Sequence, residues 1–248
     1  MIKYIGFIFR VVPYLIIKYP AILFNYLKRK SISFVKRYAF LKKIITNVMK
    51  GLHVEFHVNG LEKLKAEKSY VLTPNHQSFL DGLSFIAILN DPSTFVAKIE
   101  AKKYPFVGKA IGIIDGLFLE RSNLRQEIKV MTDLKKSLKN DNKKWIIFPE
   151  GTRTRAKDYA MADFKAGTFK APTSAGVSIY PVAMWGSFRV LDIKLKRMKR
   201  YPIQISILDP ITPQEYEGLS TAEIAKLVQS KVEAEVKKLK EKEKELLK

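Results

Sequence analysis

Two short runs hold side chains whose types and spacing suit chemistry. In YVLTPNHQSFLDG, His76 follows an apolar run and a Pro-Asn break, and Asp81 comes five residues later. Along a continuous helix five residues turn through about 500°, which would leave the two roughly 140° apart and out of reach. With His76 in the turn and Asp81 in the first helical turn, the carboxylate folds back onto the imidazole. A carboxylate on one ring nitrogen fixes the tautomer and raises the basicity of the other. Such a pair is a general base for a hydroxyl, worth about 10²–10⁴ in rate. The bland alternative is that Asp81 caps the helix and His76 fills a turn.

The second run, WIIFPEGTRTR, leads from a strand into Glu150, Gly151, Thr152 and Arg153. Glycine permits a tight turn with exposed N–H groups, and the arginine fork suits a phosphate. The alternative here is an ordinary strand-end turn closed by a Glu150–Arg153 ion pair. Arg121, closing LFLER, is a further cation at a strand end. His53, Glu55 and His57 would share one face of the alternating run HVEFHV, but no further strong ligand lies near them. A polar strand face is therefore the reading, and no metal site is expected. With no cysteine in the chain, disulfides, thiolate metal sites and cysteine nucleophiles are excluded.

The elements that must position these groups show in the hydropathy pattern. Strand-like runs occupy 53–58, 69–73, 93–97, 117–120, 145–148, 177–183 and 203–208, and helix-length segments occupy 79–90, 101–112, 122–140 and 160–175. Strands alternating with helices predict an α/β fold, a central mixed, mostly parallel sheet flanked by helices. Its continuous apolar runs suit strands buried on both faces, with His76 at a strand end where such sheets place their sites. We divide the chain into an N-terminal helical pair (1–50), an α/β domain (51–215) and a C-terminal Lys/Glu-rich amphipathic helix (216–248).

Of 248 residues, 45 are Lys or Arg and 24 are Asp or Glu, a formal charge of +21 that calls for an anionic partner. Residues 1–50 carry eleven Lys/Arg, ten aromatics and no acid. At about 100° per residue, Lys3, Arg10, Lys18 and Asn25 fall within an arc of roughly 80°, a thin polar stripe on a largely apolar helix. Lys3, Arg10, Lys18 and Pro13 interrupt any simple membrane span, Pro13 as an expected kink. The segment 31–50 repeats the design with Ser33, Lys36, Lys43, Asn47 and Lys50 on one side. These features predict a two-helix motif docking on an anionic membrane surface without crossing it. A hairpin packed on the chain's own core and a single span are the alternatives. The cluster KLKRMKR at 194–200 is read as a second membrane contact or a carrier-protein contact.

Taken together, these motifs resemble the glycerophospholipid acyltransferase family, in particular its lysophosphatidate acyltransferases. The family's NHxxxxD motif is met by Asn75 to Asp81, and its EGTR motif by Glu150 to Arg153. Its apolar strand ending in arginine is met by Phe118 to Arg121, with Glu120 where Asp is common. Its proline in an apolar strand looks like Pro181; VAKIE around Lys98 and FKAGTF from Phe164 to Phe169 also look alike. The resemblance covers roughly 55–210, and more loosely the N-terminal pair.

The resemblance implies that His76, oriented by Asp81, deprotonates the sn-2 hydroxyl of lysophosphatidate. The alkoxide would attack an acyl thioester of CoA or acyl carrier protein, with no cofactor and no acyl-enzyme. Lys98, Arg121, Glu150, Gly151, Thr152 and Arg153 would form the phosphate pocket, and a backbone amide of the Gly151 turn is the candidate for the oxyanion. The implied location is the cytoplasmic face of a bacterial inner membrane. Alternatives are a sister acyltransferase using glycerol-3-phosphate or another lysophospholipid, a scaffold without catalysis, and a basic nucleic-acid-binding protein. The interleaved apolar faces of 1–50 argue against nucleic acid as partner.

Overall fold

The computed structural model describes residues 7–64, 67–120, 123–154, 159–191 and 198–246. Arg121 and most of the cluster 194–200 lie outside them. Among the described residues, seven strands form one sheet: β1 (Val54–Asn59), β2 (Tyr70–Pro74), β3 (Ser93–Lys98), β4 (Leu117–Leu119), β5 (Lys144–Ile146), β6 (Ser178–Trp185) and β7 (Tyr201–Ile207). They lie in the order β1-β7-β6-β2-β5-β3-β4. Every neighbouring pair is parallel except β6 and β7, so β1 and β7 run against the other five. This is the mixed, mostly parallel sheet expected from the apolar runs. The strands β2, β6 and β7 are buried throughout.

Side chains alternate across the pleat and divide the core into two layers. Tyr70, Leu72 and Ile146 face one side, joined by α1 (Val12–Leu27), α2 (Phe34–Gly51), α3 (Asp81–Ile88) and α4 (Pro105–Ile113). Val71, Trp145 and Ile147 face the other, under α5 (Leu124–Asn140) and α6 (Lys170–Ala175). Beyond the short helices α7 (Phe188–Leu191) and α8 (Pro213–Tyr216), α9 (Thr221–Leu246) covers β6 on that second side. Its Ile224, Val228, Val232, Val236 and Leu239 are buried against Ile179, Ala183 and Trp185.

The two N-terminal helices have different surroundings. In α2, Tyr38, Leu41, Ile44, Ile45, Val48 and Met49 enter the main core, and the exposed side is mostly polar, with Val35 the large apolar exception. This departs from the interfacial repeat expected for 31–50: an apolar stripe fixes that a face is covered, and α3 and the sheet cover this one. Helix α1 packs on α4, where Tyr19 meets Phe106 edge-on at 4.9 Å. A Cβ at Gly112 would lie 2.4 Å from the Tyr26 ring, so glycine lets the two helices approach. Pro13 sits in the first turn of α1, directly after a π-helical turn over Phe7–Val11, so the helical hydrogen-bond pattern changes beside it.

The turn after α4 is tied to α2 through a buried cation. Both Arg37 nitrogens bond the Asp115 carboxylate at 2.9 Å, and Lys143 adds a third contact at 2.9 Å. Burial pushes the Asp115 carboxyl up, but hydrogen bonds from Arg37 and Lys143 outweigh it and hold the group below its usual value. A carboxyl depressed in the folded state stabilises above its unfolded pKa of about 4 and loses that contribution as pH falls through the folded value. Arg37→Met is therefore expected to cost about 2–3 kcal/mol near neutral pH, allowing for the partial exposure of Asp115. Chemical denaturation at neutral and acidic pH checks this: the difference from the native chain is expected to shrink in acid.

Candidate active site

The site is built on the carboxyl edge of the parallel strands, starting from β2. Pro74 ends β2 and cannot donate to the ladder with β6. Asn75 takes over: its carboxamide donates to the Met184 carbonyl at 3.1 Å and accepts from the Met184 N–H at 2.7 Å. The chain then leaves the sheet for α3, whose first residue is Asp81. Asp81 is fully buried, and its Oδ2 accepts from the N–H groups of Gln77 at 2.7 Å and Ser78 at 2.8 Å.

The same oxygen lies 2.8 Å from His76 Nδ1. The histidine thus stands in the turn and the aspartate in the first helical turn, the arrangement in which five residues of separation bring them together. Three N–H donors converge on one carboxylate oxygen. The Nδ1–H tautomer this favours leaves a lone pair on Nε2, and the side chain is 20% exposed. Phe148 stacks on the imidazole, with centroids 4.2 Å apart, and meets Phe85 edge-on. One face of the imidazole is therefore apolar and close-packed.

Glu150 has a different place from the one assigned to it in the phosphate pocket. It is 2% exposed; Oε1 accepts from the His76 N–H at 2.6 Å and Oε2 from the Ala162 N–H at 2.9 Å. Burial pushes its carboxyl above the usual range, against the pull of those two backbone bonds. A buried anion with both oxygens occupied by amides is a brace and not a phosphate ligand, nor does it pair with Arg153 in the ion pair weighed as an alternative. Thr154 N–H donates to the His76 carbonyl and Lys165 N–H to the Pro149 carbonyl, at 2.9 and 3.1 Å. The described parts of the loop 149–165 are thereby strapped to the histidine turn. Gly151 adopts a φ of 71°, which glycine tolerates, and its N–H is taken by the Phe148 carbonyl at 3.0 Å. The Gly151 N–H itself is therefore engaged, and an oxyanion donor in this turn would have to be another of its amides.

The remaining residues of the expected phosphate pocket stand apart from the histidine pair. Thr152 and Arg153 are exposed on the loop after β5. Lys98 ends β3 on the same edge, exposed, with its Nζ 2.7 Å from Glu100. Neither Lys98 nor Arg153 hydrogen-bonds His76 or Asp81 among the described residues. Sequence reasoning missed Phe148, Gln77 and Thr154 as supports; Gln77 Oε1 accepts from Gly186 N–H at 3.1 Å. Their position beside the two motifs was the available signal. His53 precedes β1 with a φ of 59° and contacts Arg10, so HVEFHV does not present its three groups on one strand face. No group of three or more metal-ligating residues occurs among the described residues.

Comparison with known proteins follows this geometry. The Acyltransferase family model matches residues 55–185. The 1-acyl-sn-glycerol-3-phosphate acyltransferase of Haemophilus influenzae is 28% identical over 77% of this chain and 77% of its own length. The enzyme of the same name from Saccharomyces cerevisiae is 29% identical over 76% of this chain, and the mouse alpha form 30% over 73%. The matched region spans 61% of the yeast and mouse relatives. In fold, the chain is similar to the crystal structure of the 1-acyl-sn-glycerophosphate (LPA) acyltransferase PlsC from Thermotoga maritima. That match has a TM-score of 0.75 and 24% identity, and covers 96% of this chain and 95% of that one.

Two expectations follow from the geometry. Imidazole NMR is expected to show the neutral His76 ring as its Nδ1–H form, and Asp81→Ala is expected to abolish that preference. In Glu150→Gln, an amide NH₂ would face one of the two backbone N–H donors. A loss of about 1–3 kcal/mol is expected in thermal or chemical denaturation.

Proposed function

Because this chain belongs to the Acyltransferase family, we propose that it transfers a fatty acyl group from a thioester to the sn-2 hydroxyl of 1-acylglycerol-3-phosphate, giving phosphatidic acid. The observation that carries this reading is the 2.8 Å contact between His76 Nδ1 and the buried Asp81 carboxylate. His76 Nε2 takes the hydroxyl proton as the oxygen attacks the thioester carbonyl carbon. The C–S bond of the tetrahedral intermediate then breaks, and the thiolate recovers the proton from the imidazolium. Asp81 holds the ring and stabilises its charged form. Neither step requires a covalent enzyme intermediate.

The acceptor phosphate is assigned to Arg153 and Lys98, with Arg121 outside the described residues. Glu150 and the Gly151 turn shape the loop that carries Arg153. The names of the curated relatives support this acceptor class. For Lys98 to bind phosphate it must leave Glu100, an exposed exchange of one anion for another.

A substrate that stays in a bilayer needs an enzyme that docks there. Phe9, Ile16, Ile17, Phe24 and Leu27 on and before α1 are exposed, Phe9 and Ile17 by more than 70%. Together with Pro13 and Pro20 they fall within an arc of roughly 100°. Lys28 and Lys30 follow at the helix end, both exposed. No helix among the described residues is long and apolar enough to cross a membrane. We assign α1 as a helix lying in one leaflet of an anionic membrane, on the cytoplasmic face of a bacterial inner membrane. In this account α4, through Phe106 and Gly112, is the buttress that fixes it to the core.

Acyl-CoA cleavage by the vesicle-bound protein, followed as free CoA, tests the reaction. Release is expected to require lysophosphatidate and to fall about 10²–10⁴-fold in His76→Ala. Release that persists within tenfold of the native rate would exclude His76 as the base. Ile17→Glu/Phe24→Glu is expected to lose binding to anionic vesicles while unfolding like the native chain.

A further inference from the structure

Helix α5 has an outward face that the reaction at His76 does not use. Its inner side buries Val130, Leu134, Ser137 and Leu138. Outward it exposes Leu124 by 70% and Ile128 by 58%, alongside exposed Arg125, Lys129, Lys135, Lys136 and Lys139. At about 100° per residue these seven fall within an arc of roughly 140° and run about 22 Å along the helix. The acids of the helix, Glu127 and Asp133, are only half-exposed. A merely solvated face has no need of two bare aliphatic side chains among five cations.

The first turn of this helix is fixed beside the catalytic edge. Gln126 accepts from the Glu120 N–H at 2.8 Å and donates to the Phe118 carbonyl at 2.5 Å, joining α5 to the end of β4. That end lies on the same sheet edge as His76. The outward face therefore begins at the carboxyl end of the sheet, three strands from β2, and extends away from it.

On the acyl-transfer reading of His76, we propose that this face docks an acidic carrier protein that presents the acyl thioester. Five cations spread over that length match an acidic helix of a protein, whereas a nucleotide is too short to span them. Leu124 and Ile128 supply the apolar contact that separates docking from electrostatic steering alone. A bilayer is the less fitting partner. Tyr70 and Leu72 of β2 point to the layer of α1 and α4, and Val71 to that of α5, so the sheet lies between the two surfaces. A flat membrane along α1 does not also lie along α5.

The full chain carrying Arg125→Glu/Lys129→Glu/Lys136→Glu, and separately Leu124→Ser/Ile128→Ser, is assayed with lysophosphatidate and two donors, acyl-CoA and acyl-(acyl carrier protein). With the carrier donor kcat/KM is expected to fall at least about tenfold and to lose most of its salt dependence in the charge-reversed variant. With acyl-CoA it is expected to stay within about twofold, and binding to anionic vesicles is expected to be unchanged. Equal losses with both donors, undiminished use of the carrier donor, or lost vesicle binding would each overturn the proposal. A native chain active with acyl-CoA and inert with the carrier donor would overturn it while leaving the acyl-transfer reading intact. Failure with both donors would remove that reading first.

Discussion

The structure of the site depends on one buried oxygen. Asp81 Oδ2 gathers three N–H donors, from the Gln77 and Ser78 backbone and the His76 ring. Desolvating a carboxylate is expensive, and those bonds are what make the position tolerable. The same bonds fold the turn 76–81 into the shape that aims the imidazole. Asp81 thus orders the turn and orients the ring through one oxygen; its bonds go to amides that precede α3, so the helix-capping reading weighed from the sequence does not hold.

Around that oxygen the supports come from distant parts of the chain. Asn75 ties the turn to β6, Glu150 ties its backbone to Ala162, and Phe148 packs the face of the ring. Each support uses a backbone amide or a close-packed surface, so little in the site is free to adjust. The polar rim differs: Lys98, Thr152 and Arg153 are exposed and can reorganise around a ligand. A rigid histidine pair beside an exposed, basic rim suits a reaction whose geometry is demanding at one oxygen and permissive at a phosphate.

Much of this was legible in the sequence because it is local. The histidine and aspartate lie within six residues, and all seven strands appeared as apolar runs within a few residues of their positions. What was not legible depends on distant partners. The periodicity of 34–51 shows an apolar face but not that α3 and the sheet cover it. Glu150 reads as a surface acid until the amides of His76 and Ala162 are placed against it. The helix expected over 160–175 is regular α-helix only at Lys170–Ala175, because earlier N–H groups are taken by Glu150, Gln229 and Pro149.

The central claim is that His76 and Asp81 act as a unit. A double-mutant cycle on acyl transfer, comparing His76→Ala, Asp81→Ala and the pair, tests it most directly. An aspartate that works through the histidine has nothing left to do once the histidine is gone. The double variant is then expected within about threefold of His76→Ala alone, a strongly non-additive result. Losses that multiply would mean that Asp81 serves the reaction independently of His76, and the account of the site would be wrong.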